Sequence, residues 1–417
     1  MHNEETKTIV VVGAGMVGVA TAIWLQRGGH QVTIVDKVGP AGGTSYGNAG
    51  VLASGSVVPV SVPGLWRKAP GMLLDGNAPL FLRWQYLPKL IPFLIKFLRS
   101  GSDQDVQHIS KSLAMLLHDT PSQHQALAEG TGAEKYIEVG DYVYGYSDRT
   151  AFEADKYSWK IRREREVPFE EMDSERIAEY DPVMAGRIGY AVRCSGHGRI
   201  SDPGAYVKTL ADHFVNSGGR LVTAEVDDVI IENGRATTIV TSDGPIAADE
   251  FVLATGVWSG PLAAKLGVKV PLESERGYHI EFVNPSITPR SPVMVASGKF
   301  VLTPMDGRLR CAGIVEFGGL NAPPSRKPFE LLRRQTLALF PELTYDRIDE
   351  WMGHRPSTSD SLPLIGSFDA APNVWSGFGH QHVGLSAGPK TGRWLSQLIS
   401  GQKPNVDLTS MAPNRFG

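Results

Sequence analysis

A chain of 417 residues is long enough for two or more domains, and 42% hydrophobic with 20% charged residues is the balance of an ordinary globular protein. A net charge of −3 offers no basic footprint, so no nucleic-acid partner is expected. Two cysteines, Cys194 and Cys311, far apart and outside any C-x-x-C pair, exclude a disulfide scaffold and a cysteine zinc cluster, and no metal site is expected.

The opening "MHNEETKTIVVVGAGMVG" carries acids ahead of a very short apolar run and does not read as a signal peptide. No stretch approaches the ~18 uninterrupted apolar residues of a spanning helix, and the expected location is the cytoplasm. Residues 8–37, "TIVVVGAGMVGVATAIWLQRGGHQVTIVDK", read as strand, turn, helix, strand. Residues 9–12 are apolar on both faces, as in a strand buried inside a parallel sheet. Gly13, Gly15 and Gly18 form G-x-G-x-x-G and open the helix, Gly28 and Gly29 end it, and Asp36 closes the second strand eighteen residues past Gly18. Such glycines let the backbone approach a pyrophosphate at a helix N-terminus, and an acid at roughly this distance bonds a ribose 2′-hydroxyl. The acid would repel a 2′-phosphate, which disfavours NADP. The motif alone does not separate FAD from NAD.

The next segment, "GPAGGTSYGNAGVLASGSVV" (39–58), is a second loop of small residues, suited to bringing backbone N–H groups against a flat polar ring system. Then "PLFLRWQYLPKLIPFLIKFLRSG" (79–101) is densely apolar and aromatic, with Arg83, Lys89, Lys96 and Arg99 as its only charges. A helix after Pro88 would carry a basic stripe and a broad apolar side, either resting on an anionic membrane or packed against the protein's own substrate domain or another subunit. Ser201 or Asp202 caps a helix with Pro203 at its first position and Val207, Leu210 and Phe214 on its apolar face. A strand at "RLVTA", a hairpin turning at Asn233-Gly234, and a buried strand ending in Ala254-Thr255-Gly256 follow. In "WMGHRPSTSDSLPLIG" (351–366), Gly353 and Pro356 argue against a helix interior, and Arg355 is expected where the chain leaves a regular element. Finally "NVWSGFGHQHVGLSAGPKTGRWLSQLISG" (373–401) reads as strand, glycine loop and terminal helix, starting near Ser386 with Trp394, Leu395 and Leu398 on its apolar side.

The glycine motif with Asp36, "SYGNAG" at 45–50, the "ATG" strand, "RGYHIEF" at 276–282, "GHRPSTSDSLPLIG" and "GHQHVGLSAGPKTG" together resemble the FAD-dependent amine dehydrogenases and oxidases related to D-amino-acid dehydrogenase and glycine oxidase, the D-amino-acid oxidase superfamily. The likeness runs from about residue 8 to 401 and is nearest to bacterial D-amino-acid dehydrogenases. It implies an α/β fold: a Rossmann-type, glutathione-reductase-like FAD domain (1–60, 195–268 and 345–417) interrupted by an α+β substrate domain with a mixed or antiparallel sheet (61–194 and 269–344). It implies FAD, held without a covalent bond, because neither cysteine falls in the C-terminal loop. The expected cofactor contacts are Gly13, Gly15, Met16, Val17, Gly18, Asp36 and Lys37 at the nucleotide end. Thr44, Ser45, Asn48, Ala49, Gly50, Val51 and Val226 follow, then Ala254, Thr255 and Gly256. Gly379, His380, Val383, Gly384, Leu385 and Ser386 complete the set around the ring.

By the same resemblance Arg355 holds the substrate carboxylate, a role its planar fork of donors suits. Tyr278 is a candidate for a second bond to that carboxylate, or a plain sheet residue; His279 points to the opposite face by strand alternation. His382 stands where some glycine-oxidase relatives carry an arginine, which argues against glycine or sarcosine and suits an apolar, hydroxylated or cyclic substrate. His380 is expected to order its loop through backbone bonds. The implied activity is oxidation of a D-amino acid or a cyclic imino acid such as D-proline or 4-hydroxy-D-proline. Hydride passes from Cα to flavin N5, and electrons go on to a quinone-type acceptor or another subunit. An O₂-using amine oxidase of the same fold and a non-catalytic flavoprotein subunit stay open as alternatives, as does attachment to the inner face of the membrane through 79–101.

Overall fold

The computed structural model describes residues 6–67, 71 and 78–416. Two sheets organise it. The first has six strands in the order Leu364–Phe368, Ala371–Phe378, Glu250–Leu253, Thr8–Val12, Gln31–Asp36, Arg220–Thr223. All neighbours are parallel except the first two, which form an antiparallel edge. Thr8–Val12 and Glu250–Leu253 are buried along nearly their whole length because helices cover one face and more protein the other. Helices Met16–Arg27, Pro203–Asn216 and Gly384–Ile399 pack on one side around Val19, Ile23, Val207, Leu210 and Leu395. A three-stranded meander, Val226–Glu232, Arg235–Thr241 and Gly244–Ala247, and the helix Ser259–Lys265 cover the other side.

The second sheet has ten strands, mostly antiparallel. Its path runs Arg347–Thr358, Leu272–Val283, Arg308–Phe317, Phe300–Met305, Val293–Val295, Ile137–Tyr146, Tyr190–Ile200, Val51–Leu52, with Leu80–Leu82 and Phe169–Asp173 paired alongside. Parallel pairs at Val293–Val295 and Leu80–Leu82 make it mixed. The expected α/β architecture with a mixed second sheet is therefore present.

Strand pairing corrects the expected boundaries. Tyr190–Ile200 lies wholly in the second sheet, so a division between 194 and 195 would cut a hydrogen-bonded strand. Val51–Leu52 pairs with Gly198 and Arg199 of that same sheet. Arg347–Thr358 is its edge strand, paired along its full length with Leu272–Val283. Arg355 accordingly sits within a strand that runs three residues beyond it, not at the strand's exit. An edge position tolerates the missing N–H of Pro356, which is why local breaker signals misled.

Other elements follow local chemistry. Asp202 caps its helix, accepting from the Ala205 N–H at 2.9 Å, with Pro203 in the first turn. Asn233 and Gly234 take φ of 51° and 75°, as a two-residue hairpin turn of mirror-image type requires. The C-terminal helix starts at Gly384, two residues before Ser386, after a short 3₁₀ turn over Gln381–Val383; Leu398 is only half-buried and Ile399 fills the apolar face in its place. No helix among the described residues is long and apolar enough to cross a membrane.

Candidate functional site: a dinucleotide cleft with a free arginine

The ends of five parallel strands and the edge of the second sheet enclose one cavity of about 420 Å³. At one end the first strand turns sharply into the helix Met16–Arg27. Gly13 takes φ 112°, and a Cβ there would meet the Ala254 carbonyl oxygen at 2.5 Å. A Cβ on Gly18 would come within 1.9 Å of the Gly13 carbonyl oxygen, so only glycine lets helix and strand approach this closely. The helix has no side-chain cap of its own; the Met16 N–H donates to Ser45 Oγ at 2.9 Å, so the glycine turn and the 45–50 loop are joined where an anion would lie. Asp36 accepts from the N–H groups of Ala14, Val38 and Gly39, each at 2.8 Å. A carboxylate has about four lone-pair sites, so acceptor capacity remains for a hydroxyl. Lys37, also on the lining, is stacked over Trp258 and lies 3.7 Å from Glu225.

The middle of the cavity is built by two loops. Fully buried Arg310 reaches across from the second sheet, its Nη1 donating to the carbonyls of Tyr46 and Asn48 and its Nε to Glu281 at 2.8 Å. Arg308 continues that chain to Glu281 and Asp202. Opposite, Gln381 holds a positive φ of 49° and its amide donates to the Thr358 carbonyl at 3.2 Å, tying the 379–385 turn to the edge strand. His380 is buried and bonds Thr391 Oγ1 at 3.0 Å, a side-chain partner where backbone partners were expected; burial pushes its pKa down to about 3. The N-terminus of Gly384–Ile399 opens onto the cavity through Gly384 and Leu385.

At the far end the edge strand presents Trp351, Gly353 and Arg355 on one face. The Arg355 guanidinium lies over Gly277, where an added Cβ would meet its Cζ at 2.7 Å. It lines the cavity, and among the described residues it has no hydrogen bond and no ion pair within 4 Å. Burial lowers its pKa and the neighbouring carboxyl of buried Glu275 opposes that shift. Trp351 lies flat across Gly353 and Gly47, both of which would clash with its ring if they carried a Cβ, and stacks on His279 at 5.1 Å. His382 is open to the cavity; enclosure by protein and then the Arg355 charge push its pKa down to about 4.

The cavity brings together Gly13, Gly15, Met16, Val17, Asp36, Lys37, Thr44, Ser45, Asn48, Ala49, Val226, Ala254, Thr255, Gly256, Gly379, His380, Gly384 and Leu385 with Arg355, Tyr278 and His382. Gly18, Gly50, Val51, Val383 and Ser386 stand behind this lining. The Ser386 hydroxyl joins the Val51 carbonyl and the Ala53 N–H, each at 3.1 Å, stitching helix to strand. Tyr278 reaches the lining, but its hydroxyl is engaged elsewhere. Its O–H donates to Glu316 at 2.6 Å and accepts from the Ser325 N–H, and its ring packs edge-on against Phe329; that partnership pushes the phenol, already raised by burial, up to about 12. It is His279, on the opposite face, that turns to the cofactor loop, its Nδ1 3.1 Å from the Gly47 carbonyl. Sequence reasoning missed Trp351, Glu225, Gly277, Gly353 and Gln381. For Trp351 and Gly353 a signal existed, since even spacing from Arg355 puts all three on one strand face. Both cysteines are buried and free, with thiols pushed by burial up to about 12, so neither is a nucleophile.

A glycine-lined cleft at the carboxyl ends of a parallel sheet, closed by a second mixed sheet, defines a dinucleotide-dependent protein of two-sheet architecture. The chain matches the DAO family, described as FAD dependent oxidoreductase, over residues 8–398, and belongs to it. It is 41% identical over 99% of both chains to a D-amino-acid oxidase of Bradyrhizobium diazoefficiens, and 28% identical over 98% of both to a D-amino acid dehydrogenase of Allorhizobium ampelinum. Its fold is shared with glycine oxidase from Geobacillus kaustophilus (TM-score 0.76, 20% identity, 98% of this chain and 99% of that one). L-proline dehydrogenase from P. horikoshii is similar to a like degree (TM-score 0.74, 19% identity, 99% and 98%). The protein is thus an FAD-dependent oxidoreductase, and its cleft fits that cofactor: the turn that only glycine can make, the acid at Asp36 and the joined loops lie in the order a dinucleotide needs.

Proposed function

We propose that this enzyme oxidises a D-amino acid or a D-configured cyclic imino acid, with Arg355 holding the substrate carboxylate. One observation carries the reading: a guanidinium lining the cavity with no hydrogen bond and no ion pair among the described residues. An enclosed charge without a partner is expensive, and a planar carboxylate satisfies it with two parallel bonds. The acids on the lining are Asp36, Glu225 and Asp227, and Asp36 belongs to the nucleotide turn beside Ala14. No carboxylate of the lining stands with Arg355 to hold an ammonium, which favours a neutral bound amine. His382, neutral above about pH 4, keeps a free lone pair for the proton that leaves that amine. Bound FAD would supply the hydride acceptor; water then hydrolyses the imine of a primary amino acid to a keto acid with release of ammonia, while a cyclic imino acid leaves as its ring imine.

The acceptor we favour is a quinone or a partner redox protein. The second reading, O₂ as acceptor, is supported by the 41% identity to a D-amino-acid oxidase. Anaerobic addition of D- and L-amino acids, D-proline, 4-hydroxy-D-proline and N-methyl amines to the yellow holoenzyme tests both. Bleaching by D-amino or D-imino acids is expected, with faster recovery by a quinone analogue than by air. Faster recovery by air would hand the acceptor to O₂. Failure of every carboxylate-bearing amine to bleach would refute the role of Arg355 and return the chain to a non-catalytic flavoprotein subunit.

A further inference from the structure

The helix Leu87–Arg99 buries only one of its sides. Leu90, Phe93 and Phe97 pack on Leu80, Leu82, Val315 and Phe317 of the second sheet. The opposite stripe, Ile91, Ile95 and Leu98 at i, i+4 and i+7, is 44%, 46% and 37% exposed, and Trp84 just ahead of it is 60% exposed. Among the described residues thirteen large apolar side chains are exposed, and six of them fall between Val60 and Leu98, so this is a concentration and not ordinary scatter. Arg99 borders the stripe one turn beyond Ile95, and Lys89 and Lys96, a heptad apart, form a row on the other flank of the exposed surface; all three are exposed, and none forms an ion pair with a described residue. From 79 to 101 the sequence has no acid at all. The next two, Asp103 and Asp105, are engaged by the Tyr157 and Ser102 hydroxyls.

We propose that this face docks on an anionic lipid surface, with Trp84, Ile91, Ile95 and Leu98 entering the headgroup boundary and the three cations meeting lipid phosphates. An apolar stripe flanked by unpaired lysine and arginine is the pattern of a helix lying in the plane of a bilayer interface. A second copy fits less well: an antiparallel two-fold contact through the face would bring these cations beside their own images, and in either orientation the stretch has no acid to pair with them. The buried side of the helix packs on Val315, which pairs with Gly277, on which the Arg355 guanidinium rests, so the helix itself lies one strand from the carboxylate clamp. The docking itself does not depend on which acceptor the enzyme uses.

The test is sedimentation of the holoenzyme with phosphatidylcholine vesicles that either lack or contain phosphatidylglycerol, at low and high salt. Two triple variants accompany it: Lys89→Glu with Lys96→Glu and Arg99→Glu, and Ile91→Ser with Ile95→Ser and Leu98→Ser. Binding to the anionic vesicles, weakened by salt and reduced at least about tenfold in each variant, is expected. Both variants should turn over a soluble dye acceptor in lipid-free buffer like the parent, which shows that they fold. No binding at low salt, equal binding with and without phosphatidylglycerol, or unchanged binding by the variants would overturn the proposal. So would a self-associating parent that the apolar variant converts to monomer without any lipid binding, since the face would then belong to a second copy.

Discussion

Replacing Arg355 by Met separates a clamp from a strut. Two charge-assisted hydrogen bonds to a carboxylate are worth roughly 1.5–3 kcal/mol each, so losing both should cost about 3–6 kcal/mol of transition-state binding. At ~1.4 kcal/mol per decade that is a fall in kcat/KM of roughly a hundredfold to ten-thousandfold. Stability should behave differently. In the free enzyme the guanidinium makes no hydrogen bond to a described residue that the substitution would remove, and methionine fills similar volume over Gly277. Glu275 loses a favourable neighbour: burial raises its pKa while Arg355 opposes that, so without the arginine it can take up a proton, and His382 and His279 lose a charge that helps hold their pKa down. The apoprotein should therefore unfold within about 1 kcal/mol of the parent, and FAD content should match. Arg355→Lys keeps the charge, loses the fork and should fall between. Steady-state kinetics on a D-amino acid and on the corresponding amine without a carboxylate complete the assay. The carboxylate-free amine should be insensitive to the substitution. Equal losses on both substrates, or a large drop in Tm with little change in kcat/KM, would show that Arg355 holds the strand and not the substrate.

Gly18→Ala places a methyl 1.9 Å from the Gly13 carbonyl oxygen, so the variant should purify without FAD, read as loss of the 450 nm band, and unfold at lower temperature. Arg310→Met strips the carbonyls of Tyr46 and Asn48 of their donor and leaves buried Glu281 with Arg308, 3.2 Å away, as its remaining cation. Breaking a buried pair in this way should cost about 3–5 kcal/mol in denaturant unfolding, with weakened FAD retention as the second readout. Acid should destabilise the fold before its carboxylates titrate. Burial holds His124 and His197 down to about 4 and His380 down to about 3, all below the ~6.5 of an unfolded histidine. These groups bind protons on unfolding, so stability is whole above about pH 6.5 and declines as pH falls toward 4, by ~1.4 kcal/mol per pH unit for each histidine. A Tm profile that is flat from pH 7 to 5 would contradict this.

What could be read before folding was what is encoded locally. The glycine turn, Asp36, the Asp202 cap and the Asn233-Gly234 hairpin depend on residues a few positions apart, and each stands as its spacing requires. What could not be read depends on which segments meet. Gly353 and Pro356 look like breakers, yet pairing with Leu272–Val283 carries the strand through them, because an edge strand needs bonds on one side only. Alternation correctly sets Tyr278 and His279 on opposite faces, but alternation cannot say which face is which. That is decided by the helix Arg326–Leu339, whose Phe329 covers the tyrosine side and leaves the histidine to the cofactor loop. Nothing in "RLRCAG" announces that Arg310 will hold carbonyls more than 260 residues earlier.

Three glycines make the same point more sharply. Gly47, Gly277 and Gly353 come from separate strands and loops, and none needs to be glycine for the sake of its own turn. Each is glycine because a large side chain from elsewhere lies across it: Trp351 on Gly47 and Gly353, Arg355 on Gly277. Together they clear a flat floor on which an indole and a guanidinium lie side by side on one strand face. Any side chain at Gly277 would drive the guanidinium off the sheet into the cavity. The substrate end of this site is therefore shaped as much by where side chains are missing as by the arginine that the missing ones make room for.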